Sequence, residues 1–148
     1  MSQTTTLQQS QGLKKLGFND PVKQYHELFN SYDNFNDINW HIVPRDIENA
    51  ILNDYNGREG YEDCFSAPQI NDALEWCMKE YSVWGQPITN KIDWRSWEFL
   101  IQIKNDRFIT SGIYNTFLEA QTACLDAVIE QCKKLKENET AKVQNSQA

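Results

Sequence analysis

The chain has 148 residues, of which 40% are hydrophobic and 12% aromatic, and its formal net charge is −7. A chain this long fits one domain with an appended segment, and it buries about two-thirds of its unfolded surface on folding, enough for a core without disulfides or metal. The composition excludes collagen-like, coiled-coil and wholly disordered chains, and no apolar run is long enough to span a bilayer.

The negative charge is uneven. Residues 1–63 carry 5 basic and 10 acidic side chains, and residues 64–148 carry 9 and 11. A nucleic-acid-binding chain needs a basic stripe to displace counterions from phosphates. The acidic balance favours solubility or a basic protein partner instead.

Residues 1–11 are mostly Ser, Gln and Thr and read as a disordered tail, as do residues 137–148. Residues 12–63 read as a helical N-terminal extension. Asn19 or Asp20 can cap a helix entered through Pro21, with Val22, Tyr25, Leu28 and Phe29 on one face. Residues 31–39 are rich in Asn and Asp and predict a loop, and 39–43 predict a short strand. Pro44 opens a second predicted helix over 45–55, which Gly57 would end.

Residues 64–136 read as an α-β-β-α domain. Ser66-Ala67-Pro68-Gln69 has the form of a capping box, and Ile70, Ala73, Leu74, Cys77, Met78 and Tyr81 follow as a helical stripe ending near Trp84-Gly85. Trp97, Phe99, Ile101 and Ile103 then alternate with Glu98, Leu100, Gln102 and Lys104, the period of a strand. A two-residue turn at Asn105-Asp106 would set Lys104 opposite Arg107, Ile103 opposite Phe108 and Phe99 opposite Gly112. A third strand fits within 86–92, although Pro87 opposes it. Thr116 and Glu119 make a second capping box, before a helix burying Ala120, Ala123, Cys124, Ala127, Val128 and Leu135 and closing on Lys133, Lys134 and Lys136. The fold class is therefore α+β: a helix, a hairpin of two or three antiparallel strands and a helix, with an N-terminal helical extension.

Few chemistries find support. No glycine-rich phosphate loop occurs, and Asp33, Asp37 and Asn39 lack the Gly and Glu that a calcium loop requires. Cys64, Cys77, Cys124 and Cys132, with His26 and His41, show no metal-ligand spacing, and no cofactor is implied. Cys124 and Cys132 lie about 12 Å apart along a helix and cannot bridge each other. Reduced thiols point to a cytoplasmic location. Cys64, just ahead of a helix start, is a candidate nucleophile, with His41 as base and Asp46 to orient it.

Trp84, Trp94 and Trp97 gather around the hairpin entry; Trp97 fits the core, while Trp84, Trp94 and Arg95 have the composition of a partner-binding hot spot. Asp33, Asp37, Glu59, Glu62 and Asp63 would add charge complementarity, and an open sheet edge invites a homodimer. The leading expectation is a non-enzymatic protein–protein interaction module. The alternatives are a nucleic-acid-binding hairpin using Arg95, Lys104 and Arg107, and a cysteine-dependent enzyme acting through Cys64.

Two resemblances concern the C-terminal part. The runs Trp97 to Ile103, Arg107 to Gly112 and Tyr114 to Ala120 are similar to small arm-type DNA-binding modules, which implies a sheet offered to the major groove. The order Ala73-Leu-Glu-Trp-Cys77, Trp94, Trp97-Glu-Phe99 and Tyr114-x-Thr-x-x-Glu-Ala120 resembles small uncharacterised proteins of phages and gut Bacteroidetes over residues 66–136. That second resemblance implies no activity, cofactor or site residue.

Overall fold

The computed structural model describes residues 3–30, 38–42, 56, 64–104, 107–110 and 112–146, and the side chains of these except at 27–30, 38–42, 107–110 and 143–146. The elements run α1 (Leu7–Leu16), β1 (Tyr25–Asn30), β2 (Ile38–Ile42), β3 (Cys64–Ser66), α2 (Ile70–Tyr81), β4 (Val83–Thr89), β5 (Trp97–Ile103), β6 (Arg107–Thr110) and α3 (Phe117–Ser146). The class is α+β. Two compact units divide the chain, Thr4–Gln69 and Ile70–Ala148 with Met1–Gln3.

In the first unit Thr6 starts α1. Its hydroxyl accepts the Gln9 N–H at 3.1 Å while Gln9 Oε1 accepts the Thr6 N–H at 2.9 Å. Gly17 ends the helix at φ 97°, a left-handed cap that suits glycine. Leu13, Leu16, Phe18, Val22, Tyr25, Cys64 and Ala67 form the core. The tail expected over residues 1–11 therefore carries the first half of a capped helix. Its Ser and Gln residues are not all solvated, since Gln9 and Ser10 are buried.

The helix predicted on Val22 to Phe29 is the strand β1. It pairs antiparallel with β2, Leu28 opposite Trp40, and with β3, His26 opposite Phe65. The apolar spacing fits a helix, but two neighbouring strands take up the backbone groups, and tertiary pairing overrides local pattern. β2 occupies the predicted short strand. Ser66 ends β3 and donates its N–H to Asn56 Oδ1 at 2.8 Å, so it does not cap α2. The predicted helix over 45–55, Gly57, and Asp33, Asp37, Glu59, Glu62 and Asp63 lie outside the described residues.

In the second unit α2 buries Ile70, Ala73, Leu74, Trp76 and Cys77. It stops at Tyr81, three residues short of the predicted end, because Ser82 takes φ 55° and turns its N–H back to the Met78 carbonyl at 3.0 Å. The third strand forms as β4, which pairs with β5 from Val83 opposite Ile103 to Thr89 opposite Trp97. Pro87 is tolerated because the strand order β4-β5-β6 leaves β4 on an edge.

The β5–β6 hairpin is one residue out of the expected register. Ile103, not Lys104, stands opposite Arg107, and Gln102 stands opposite Phe108. Lys104 adopts φ 53° and leaves the ladder early, its N–H donating to the Ser82 carbonyl at 3.0 Å. The like-charge Lys104–Arg107 pair is thereby avoided. Phe99 pairs with Pro87 and stacks on Tyr114 at 6.0 Å, so it does not cover Gly112.

Helix α3 begins as predicted, with Thr116 Oγ1 accepting the Glu119 N–H at 3.1 Å. It buries Ala120, Gln121, Cys124, Leu125, Val128, Ile129 and Cys132. It then continues through the segment expected as a disordered tail to Ser146, so Lys133, Lys134 and Lys136 sit mid-helix and do not complement its end. Residues 136–142 are exposed on every side, and such a polar continuation rests on propensity and local bonds such as that from the Thr140 hydroxyl to the Lys136 carbonyl at 3.0 Å.

Gly85 sets how closely α3 seats on the sheet. A Cβ at this position would lie 2.6 Å from Val128 Cγ2 and 2.9 Å from Cys124 Sγ. Both side chains are fully buried, and Val is stiff at χ1, so neither yields easily. Gly85→Ala is expected to cost about 1–3 kcal/mol. In the double variant Gly85→Ala/Val128→Ala the loss should be smaller than the sum of the single losses, because the clashing methyl is gone. Urea unfolding midpoints of the four proteins check this.

Candidate functional site

The turn between β4 and β5, residues 90–96, closes on its own polar atoms. Asn90 Oδ1 accepts the N–H groups of Ile92 and Asp93, each at 2.9 Å. Asp93 accepts the Arg95 N–H at 3.1 Å and the Ser96 hydroxyl at 3.0 Å. The Asn90 N–H donates to the Ser96 carbonyl at 2.9 Å, and Asn90 Nδ2 donates to Glu98 at 3.3 Å. Short Asn and Asp side chains are suited to this work, since they mimic a backbone turn.

The side chains that do not close the loop point outward. Ile92 is 97% exposed and Trp94 is 74% exposed. The Arg95 guanidinium lies 5.4 Å from the centre of the Trp94 ring, within cation–π range. Just beyond the loop, Trp97 meets Phe117 edge to face at 5.1 Å and bridges Tyr114 through two backbone hydrogen bonds. Ile113, Phe117 and Leu118 add further exposed apolar surface at the start of α3.

Trp94 and Arg95 thus come together as the sequence suggests, and Trp84 does not join them. Trp84 is half-buried near the opposite end of the β4–β5 ladder, opposite Gln102. It lines a shallow groove of about 440 Å³ with Met78, Ser82, Gln102 and Lys104. The sequence placed Trp84 at the hairpin entry because α2 was expected to run on to it. Ile92 was missed, although an Ile between two loop-closing Asn and Asp residues is itself a signal of exposure.

The alternative basic set is also divided. Arg95 precedes β5 and Lys104 follows it, and a seven-residue strand separates them by about 20 Å. Arg107 stands opposite Ile103, at the Lys104 end. These residues therefore do not make one basic patch.

Cys64 is buried within β3, six positions ahead of α2, and lacks the exposed place at a helix start that the nucleophile reading needs. The register sets Glu27 between Cys64 and His41 in one row across β3-β1-β2. Two strand spacings put Cys64 and His41 about 10 Å apart at the backbone. Asp46 lies outside the described residues. Among the described residues no three His, Cys, Asp or Glu side chains gather as a metal would require. A second open pocket of about 540 Å³ beside the α3 start, lined by Tyr114, Thr116, Leu118, Glu119 and Asp126 among others, brings no nucleophile to a base.

No helix among the described residues is long and apolar enough to cross a membrane. No protein-family model matches the chain, and neither a curated protein nor a solved structure matches it.

One buried titratable group is structural. His26 donates Nε2–H to the Thr5 carbonyl at 3.0 Å, beside the 2.9 Å bond between the Thr5 and Ser10 hydroxyls. Burial holds its pKa below the ordinary 6.5, and the bond to Thr5 opposes that only in part. The unfolded chain therefore binds the proton more readily than the folded one. The contribution of His26 to stability is complete above pH 6.5 and is lost as the pH falls below it. Urea midpoints measured at pH 7.5 and 5.0 should drop for the native chain, and a His26→Gln variant should show a smaller drop.

Proposed function

We propose that this chain is a non-enzymatic protein–protein interaction module of the cytoplasm, acting through the hairpin tip at residues 90–96. The observation that carries the reading is the pairing of a closed loop with side chains that play no part in closing it. Asn90, Asp93 and Ser96 hold the backbone, while Ile92, Trp94 and Arg95 face solvent. A Trp in a preformed loop binds with little loss of conformational entropy, and Trp and Arg dominate interface hot spots. The Arg95 guanidinium lies over the Trp94 ring, so the two side chains offer one contact surface. Ile113, Phe117 and Leu118 would widen the apolar contact near the α3 start.

A nucleic-acid role has weaker support, since Arg95 and Lys104 stand at opposite ends of β5 and the whole chain is acidic. Phosphate contacts would give binding that weakens steeply with salt.

The test compares the native chain with Trp94→Ala/Arg95→Ala as bait, with bound proteins and nucleic acid quantified for each. One protein should be retained by the native chain and reduced at least about tenfold by the variant, in line with the loss of a hot spot. The melting temperature of the variant should stay within about 2 °C of the native value, because both side chains are exposed. Equal retention by both proteins overturns the assignment of the tip. Retained nucleic acid that elutes between low and moderate salt overturns the protein-partner reading.

A further inference from the structure

The face of the β4-β5-β6 sheet turned away from α3 holds a second arrangement, at the far end of the ladder from the hairpin tip. Val83 and Gly85 are buried and Gly85 lies against α3, so the pleat turns Trp84 between them to the other face. Gln102 stands directly opposite Trp84. With Met78, Ser82 and Lys104 these two line the groove of about 440 Å³. Among the described residues, the Trp84 indole N–H, the Gln102 amide, the Ser82 hydroxyl and the Lys104 ammonium have no hydrogen-bond or ionic partner. Lys104 is the one charged side chain among the described residues that line the groove.

The backbone adds a second observation. Ser82 takes φ 55° and Lys104 takes φ 53°, and the Lys104 N–H donates to the Ser82 carbonyl at 3.0 Å. Glycine adopts this left-handed conformation freely, while a Cβ disfavours it. Two such positions, tied by one hydrogen bond, therefore carry Ser and Lys on the rim of the same groove. Glycine would serve the backbone better at both, and the fold makes no use of either side chain.

We propose that this groove is a binding site for a small planar aromatic carboxylate. The ring of the ligand lies on the half-buried Trp84 ring and against Met78, both of which favour aromatic contact. The carboxylate accepts hydrogen bonds from the Lys104 ammonium and the Ser82 hydroxyl, and the Gln102 amide donates from the β5 side. Lys104 lies two positions beyond Gln102, about 7 Å along the chain, close to the length of one ring with its carboxylate. The chain's net charge of −7 does not forbid an anion here, because charges more than about 8 Å away are screened at physiological ionic strength while Lys104 is in contact. The site is independent of the partner surface at residues 90–96.

The experiment titrates the full chain, with its five Trp indoles labelled with ¹⁵N, with 2-naphthoate, and compares 2-naphthalenemethanol as the neutral analogue. One indole resonance, identified by its absence in Trp84→Phe, should move most and saturate with a Kd of about 1 mM or tighter, the range expected for a ligand of this size. The neutral analogue should bind about threefold more weakly or worse, as for a partly exposed ionic contact. Lys104→Gly should erase that preference while its melting temperature stays within about 2 °C of the native value or rises, since glycine suits φ 53°. That combination separates a ligand contact from a structural role. The proposal is overturned if no indole resonance shows a saturable shift, or if the largest shift belongs to Trp94 at the hairpin tip. It is equally overturned if the two probes bind alike to the native chain, or if Lys104→Gly keeps the preference for the carboxylate.

Discussion

The second unit depends on one close approach, that of α3 to β4 at Gly85. The missing side chain leaves room for Val128 and Cys124 to lie directly on the strand backbone. Seated this low, α3 buries a continuous stripe from Ala120 to Cys132 with almost no exposed surface. Interiors are close-packed, so the strand fixes both the height and the rotation of the helix. Cys132 lies two turns beyond Cys124 on that buried stripe.

The same arrangement decides what is left for function. The sheet buries Val83, Phe99, Ile101 and Ile103, and these side chains alternate along their strands with less buried ones. The β4–β5 ladder ends at Thr89 opposite Trp97, and the loop beyond it gains nothing from the core. It must be ordered by local bonds or not at all. Asn90 and Asp93 supply those bonds, which releases Ile92, Trp94 and Arg95 from any part in folding. Exposed Trp and Ile carry a solubility cost, and the local order of this loop does not require them. That imbalance is the physical basis of the proposal that they meet a partner.

Legibility in the sequence follows the range of the forces involved. The β5 alternation and the Thr116 cap are local patterns and appear where expected, and the α2 stripe does so from Ile70 to Cys77, with Met78 exposed and Trp76 buried in place of the expected last turn. The β1 segment misleads because Val22, Tyr25, Leu28 and Phe29 fit a helical face, while its partners β2 and β3 are distant in sequence. The start of α1 was readable in principle. Thr6 and Gln9 form a capping box and Gly17 a left-handed cap, but the Ser, Gln and Thr content of residues 1–11 hides them. The hairpin register turned on one dihedral, the φ 53° of Lys104, which composition does not signal.

The site residues divide in the same way. Trp94 and Arg95 are adjacent and sit in a polar loop, so their exposure and contact were visible from local chemistry. Trp84 depended on where α2 stops, and a shift of three residues moved it from the tip to the far end of the ladder. Exposure set by adjacent residues is legible in the sequence, and position set by where a helix stops is not, because that stop is the φ 55° of Ser82.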